Sequence, residues 1–175
     1  MGRLDDHDYA DEVSERIDAP AERVYDLVSD LPAMGRFSPE NRGGRWLRGG
    51  GPVAGARFLG LNRRGPVAWV TVSRVVTADR PNEFTFDVAS SGARWSYRLR
   101  RDGEATVVTE TRTPFRKRPM VARVFAAGLL GGVDDHDREM RDGMAATLAR
   151  IKAAAERVKA AQPPVILFID EAHTM

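Results

Sequence analysis

The chain has no cysteine among its 175 residues, so disulfides, thiol nucleophiles and thiolate metal sites are excluded. It also lacks an 18-residue apolar run and a signal peptide, so the expectation is a cytoplasmic protein with no integral membrane segment. There is no nucleophile elbow, HExxH pair or Gly-Lys-Ser/Thr phosphate loop, and no metal or cofactor is expected. Gly49-x-Gly51-x-x-Ala54 loosely matches a dinucleotide fingerprint, but Pro52 interrupts it and no helix follows. Charge of one sign is scarce too. The net charge is +2 despite a pI of 9.3, and an excess this small, read as spread along the chain, argues against a nucleic-acid partner. The basic run Arg116-Lys117-Arg118 reads as a solvated connection.

A hydrophobic content of 42% and a charged content of 30% suit one globular domain. The abundance of Arg, Ala and Gly is compatible with a GC-rich bacterial genome. Three parts are expected: a flexible N-terminus over residues 1–11, a domain over 12–160 and a tail over 161–175. His7 lies among N-terminal aspartates and reads as solvent-exposed.

Residues 134–159 set the pattern for the rest. Met140, Met144, Leu148, Ile151, Ala155 and Val158 recur in steps of three and four, one stripe on an α-helix whose other side is charged. Gly131 and Gly132 precede it, and Asp134, Asp135 and Asp137 fall in its first turn, where carboxylates suit the helix dipole. Such a helix needs an apolar partner.

Upstream, Val13, Glu15 and Ile17 share one face of a short strand. Asp18-Ala19-Pro20 then turns the chain into a helix carrying Val24, Leu27, Val28 and Leu31, which Pro32 ends. A helical turn covers residues 34–37. Strands follow from Gly43 to Pro114: a short one at Trp46-Leu47, then 57–63, 67–77, one through Phe84, Phe86 and Val88, one through Trp95, Tyr97 and Leu99, and 105–113. Asp102-Gly103 is a hairpin signal between the last two. Residues 119–130 read as another helix. Consecutive strands with short turns imply an antiparallel meander with one apolar face, for which the terminal helix is the cover. The fold class is α+β.

The segment from Ser14 to Asp30, SERIDAPAERVYDLVSD, carries a family resemblance together with Trp46, the Gly55-Ala56-Arg57-Phe58 to Asn62-Arg63-Arg64-Gly65 hairpin, Trp69, Trp95-Ser96-Tyr97, Thr109-Glu110 and the helix with Met144, Leu148 and Ile151-Lys152. Over residues 10–160 the chain resembles the START-related helix-grip (SRPBCC) superfamily, in its polyketide cyclase/dehydrase branch. The resemblance implies a curved antiparallel sheet of about 6–7 strands wrapped around a long C-terminal helix, with a hydrophobic small molecule, lipid-like or aromatic and polyketide-like, held between them. It also implies that some members are cofactor-independent cyclases or dehydratases. Fold alone does not confer the reaction.

On that frame the candidate ligand-binding residues are Asn62, Trp69, Thr71, Phe84, Phe86, Trp95, Met140, Met144 and Leu148, and the candidate acid and base are Glu110 and Tyr97. Period 2 puts Val108, Glu110 and Arg112 on one face of the last strand and Val107, Thr109 and Thr111 on the other. Inside, Glu110 would have its pKa raised by desolvation; outside, it is a solvated strand charge. His136 reads as a first-turn surface residue or a proton shuttle at a cavity mouth. Gly143 costs the helix about 1 kcal/mol relative to Ala and leaves room for a close approach.

The tail, Val165 to Met175, reads VILFIDEAHTM and closely resembles the Walker B strand of Clp-type AAA+ unfoldases. A Walker B strand acts beside a phosphate loop, which this chain lacks, so no ATPase role passes to Asp170 or Glu171. An appended peptide, a fusion remnant or a frame artefact are the readings, with self-association through strand 165–169 as the consequence of its stickiness. The function expected is binding of a hydrophobic small molecule. The alternatives are a polyketide cyclase/dehydratase and a partner-binding module with no small ligand.

Overall fold

The computed structural model describes residues 10–116 and 133–161, the latter with side chains over 140–157. Strand β1 (Asp11–Ile17) leads through Pro20 into helix α1 (Ala21–Ser29). Pro20 sits at the N-cap with φ −60°, where its fixed ring directs the corner and its missing N–H is not needed. Val24, Tyr25 and Val28 form the buried face of α1. A 3-10 turn, Leu31–Arg36, follows, and the Ala33 N–H donates both to the Asp30 carbonyl at 3.0 Å and to the Asp30 carboxylate at 3.2 Å.

Six strands then run as a meander: β2 (Asn41–Arg48), β3 (Arg57–Arg64), β4 (Val67–Asp79), β5 (Glu83–Val88), β6 (Ala93–Asp102) and β7 (Ala105–Pro114). With β1 they make one antiparallel sheet in the order β1-β7-β6-β5-β4-β3-β2. The expected α+β helix-grip architecture is present. The first two strands thus occupy opposite edges, and α1 with the 3-10 turn carries the chain between them. Strand β2 extends beyond Trp46-Leu47 on its N-terminal side because it tolerates a bulge between Asn41 and Gly44. Gly43 stands there at φ +84°, and a Cβ on it would lie 2.5 Å from the Pro32 carbonyl oxygen, so only glycine lets the strand pass the 3-10 turn.

Helix α2 (Val133–Ala161) closes the fold. Met144, Leu148, Ile151 and Ala155 are buried as the stripe requires. Leu148, Ile151 and Ala155 join one core with Ile17, Val24, Val28, Phe84 and Val108. Polar ties hold the same end. Arg23 Nε donates to the Ala155 carbonyl at 3.2 Å, Lys152 Nζ meets Glu15 Oε1 at 2.5 Å, and Glu156 Oε1 accepts from the Asp18 N–H at 2.9 Å. No helix among the described residues is long and apolar enough to cross a membrane. His7, the side chain of His136, residues 119–130 and the tail from 162 onward lie outside the described residues.

Asp11, placed by sequence at the end of a flexible segment, is instead 3% exposed on β1. One of its oxygens accepts from Arg112 Nε and Nη2 on β7, at 2.9 and 2.6 Å, and the other from Arg141 Nε and Nη2 on α2, at 3.2 and 3.0 Å. One carboxylate therefore joins edge strand, neighbouring strand and helix. Arg112 is as buried as Asp11, whereas Arg141 is 62% exposed at its side chain. Removing a partner from a buried pair is costly because a charge is left uncompensated. Asp11→Ala should cost about 3–5 kcal/mol in chemical denaturation and Arg141→Ala no more than about 1 kcal/mol; equal losses would show that Arg112 does not depend on Asp11.

Candidate functional site

A cavity of about 660 Å³ lies between the sheet and the first half of α2's described side chains. Period 2 explains its walls. Phe58, Gly60 and Asn62 point inward from β3, and their cross-strand partners Ser73, Thr71 and Trp69 from β4. Phe86 and Val88 from β5, Trp95 and Tyr97 from β6, and Glu110 and Arg112 from β7 continue the surface, with Met140, Gly143, Met144 and Thr147 of α2 as its roof. At Gly143, where a small residue was expected to allow a close approach, a Cβ would lie 3.4 Å from Pro39 Cγ, an ordinary van der Waals contact, so the packing does not require glycine.

The wall is mostly apolar, with two polar features. The first is a ladder across β2, β3 and β4, in which Asn41 Nδ2 donates to Asn62 Oδ1 at 3.4 Å and Asn62 Nδ2 to Thr71 Oγ1 at 3.2 Å. The second is Glu110, 2% exposed. Tyr97 directly opposite on β6 donates its hydroxyl to Glu110 Oε1 at 2.8 Å. Glu110 Oε2 is buried without a hydrogen-bond partner among the described residues.

Burial pushes the Glu110 carboxyl up to about 8, against the opposing pull of the Tyr97 hydrogen bond. The nearby Arg112 guanidinium is engaged by Asp11. The Tyr97 phenol is held well above its usual 10, first by burial and then by the Glu110 charge and hydrogen bond. At neutral pH the pair is therefore a protonated acid beside a protonated phenol. A neutral carboxyl with a free oxygen on an apolar wall can donate to a ligand carbonyl or hydroxyl, or deliver a proton to a leaving oxygen. Among the described residues no group of three or more His, Cys, Asp or Glu could hold a metal ion.

Asn62, Trp69, Thr71, Phe86, Trp95, Met140 and Met144 all line the cavity with Tyr97 and Glu110. Phe84 and Leu148, expected among the ligand-binding residues, do not. Phe84 faces the same side of the sheet but lies beneath α1, edge-on to Tyr25 at 6.2 Å, and is fully buried. Leu148 is one turn past the roof and points into the core. Sequence reasoning missed Asn41, Phe58, Ser73, Arg112 and Thr147 in the lining, and Asp11 behind Arg112. It also left the face of Glu110 open. A usable signal was present: the two-residue Gly103-Glu104 turn pairs Asp102 with Ala105 and hence Tyr97 with Glu110, and cross-strand partners share a face.

The family model described as polyketide cyclase / dehydrase and lipid transport matches residues 12–156. The chain belongs to that family. Among solved structures it is similar to a polyketide cyclase-like protein from Corynebacterium glutamicum, at 28% identity and TM-score 0.55, covering 87% of this chain and 91% of that one. The di-domain ARO/CYC StfQ from the steffimycin biosynthetic pathway shares the fold at TM-score 0.64 and 14% identity, over 89% of this chain and 53% of that one. So does the major latex-like protein 151 from Panax ginseng, at TM-score 0.61 and 13% identity, over 84% and 97%. No curated protein matches the chain.

Glu110 holds its proton more tightly in the folded chain than at its ordinary value of 4.5 when unfolded. Stability is therefore lost as pH climbs above the unfolded pKa, at up to roughly 1.4 kcal/mol per pH unit, and the loss levels off above the folded one. Urea unfolding of this family member from pH 4 to 9 should show that slope between about 5 and 8, and Glu110→Gln should flatten it. An unchanged slope in the variant would mean the carboxyl is ionised in the folded state.

Proposed function

We propose that this chain binds a hydrophobic, ring-bearing molecule of polyketide or lipid-like type in the cavity, with an oxygen of the guest accepting a hydrogen bond from protonated Glu110. The observation that carries this is one unpartnered acid oxygen on a wall of Trp69, Trp95, Phe86, Met140 and Met144. The volume, about 660 Å³, is within the usual range for small-molecule sites, which counts against a module with no small ligand. Membership of a family described as polyketide cyclase / dehydrase and lipid transport supports the same class of guest.

A second reading, a cofactor-independent cyclase or dehydratase, is favoured by the Glu110–Tyr97 pair. Dehydration of a β-hydroxy ketone needs an acid to protonate the departing hydroxyl as water and a base to take the α-proton. Glu110 can fill the acid role at neutral pH, with solvent water taking the α-proton. Tyr97, with its raised pKa, acts as a donor orienting the carboxyl and not as a base.

Tryptophan fluorescence titrated with a panel of aromatic polyketides and fatty acids tests the binding reading. A hit should change the emission in wild type and in Trp46→Phe, whose indole is outside the lining, and lose most of the change in the Trp69→Phe/Trp95→Phe double variant. Silence across the panel, with no small molecule retained in native mass spectrometry, would end it. Glu110→Gln keeps size and donor capacity. It should leave Kd within about threefold, a change under about 1 kcal/mol, while abolishing any turnover if the acid role is real.

A further inference from the structure

The outer side of β2–β4 carries a feature that ligand binding does not use. Residues 41–78 contain seven arginines and no aspartate or glutamate, so the basic excess is concentrated in one part of the sheet and not spread along the chain. On the face turned away from the cavity, Arg57 stands opposite Arg74, Leu59 opposite Val72, Leu61 opposite Val70 and Arg63 opposite Ala68. Arg45 of β2 is beside Leu59. Leu61 is 45% and Val72 39% exposed. Arg45, Arg57 and Arg74 are exposed and make no ion pair among the described residues. Asp87, across from Arg74 on β5, is held by both forks of Arg94 at 2.7 and 3.0 Å. Like charges facing each other across a strand pair destabilise the sheet, and exposed aliphatic side chains between them gain nothing in water.

We infer that this aliphatic strip with its arginine rim is a docking face for an anionic phospholipid surface. The complementarity has two parts: guanidinium groups match lipid phosphates, and the leucine and valine side chains enter the apolar layer beneath. The shape agrees. It is the outer side of a sheet curved around α2, which rests on a plane more readily than it encloses a partner helix, and its centre has no aromatic anchor of the kind that dominates protein interfaces. The same strands form the cavity wall on their other side, so docking would bring the cavity to the phase in which a sparingly soluble guest dissolves. That last link rests on the binding reading; the docking itself does not.

The test uses the whole chain with no guest added, in co-sedimentation with phosphatidylcholine vesicles with and without phosphatidylglycerol. Partitioning should require phosphatidylglycerol and fall steeply as salt is raised. Arg57→Gln/Arg74→Gln should weaken it about tenfold or more, and Leu61→Glu/Val72→Glu should abolish it. Both pairs lie on the exposed face, so thermal melts matching wild type show the fold intact. Equal binding to both vesicles, or binding that survives both variants, overturns the proposal, as does capture of an acidic protein by this face without any vesicle binding. Because fluorescence with soluble ligands is read separately, failure here leaves the cavity reading standing, and the reverse holds.

Discussion

The fold depends on burying one stripe of α2 at one end only. Leu148, Ile151 and Ala155 are fully enclosed among Ile17, Val24, Val28 and Val108, and Arg23, Lys152 and Glu156 tie the same turns to α1 and β1. One turn earlier the helix changes role. Met140, Gly143, Met144 and Thr147 face the cavity, because the curved sheet follows the helix closely at the β1–β7 edge and draws away from it toward β3 and β4. An amphipathic stripe of uniform spacing is thus divided by the sheet's shape into an anchor and a roof.

Two buried carboxyls show how surroundings assign roles to the same chemistry. Asp11 meets two guanidinium groups and joins three elements. Glu110, in the same layer, meets a phenol and an apolar wall and is pushed up to about 8. Arg112, two residues after Glu110 on the same face of β7, turns toward Asp11. The charge of Asp11 is matched by guanidinium groups, whereas that of Glu110 would not be, so the latter keeps its proton and becomes the group with chemistry to offer.

The β3–β4 pair makes two surfaces from one alternating text. RFLGLNRR and VAWVTVSRVVTAD place Asn62, Trp69 and Thr71 inside and Arg57, Leu61, Val72 and Arg74 outside. Both sides carry large apolar residues, so hydrophobicity alone does not name the core face; the packing of α2 does.

By itself the sequence determined the elements, the meander and the helix that covers it, because turn residues and the 2.0 and 3.6 periods are local properties. It also named Asn62, Trp69, Thr71, Phe86, Trp95, Met140, Met144, Tyr97 and Glu110 as candidates, and all of them line the cavity, although the face of Glu110 was left open. The register that puts Glu110 beside Tyr97 follows from the Gly103-Glu104 turn, one residue past where the Asp102-Gly103 hairpin signal centres it. Only the tertiary structure decided that Phe84 and Leu148 are core, that Asp11 belongs to the sheet, and that the Glu110 carboxyl is dry. The reason is physical: which apolar residue meets a ligand and which meets another side chain depends on the distance between a curved sheet and a straight helix. That distance is set by contacts more than a hundred residues apart, such as Asp11 with Arg141, and no local period records it.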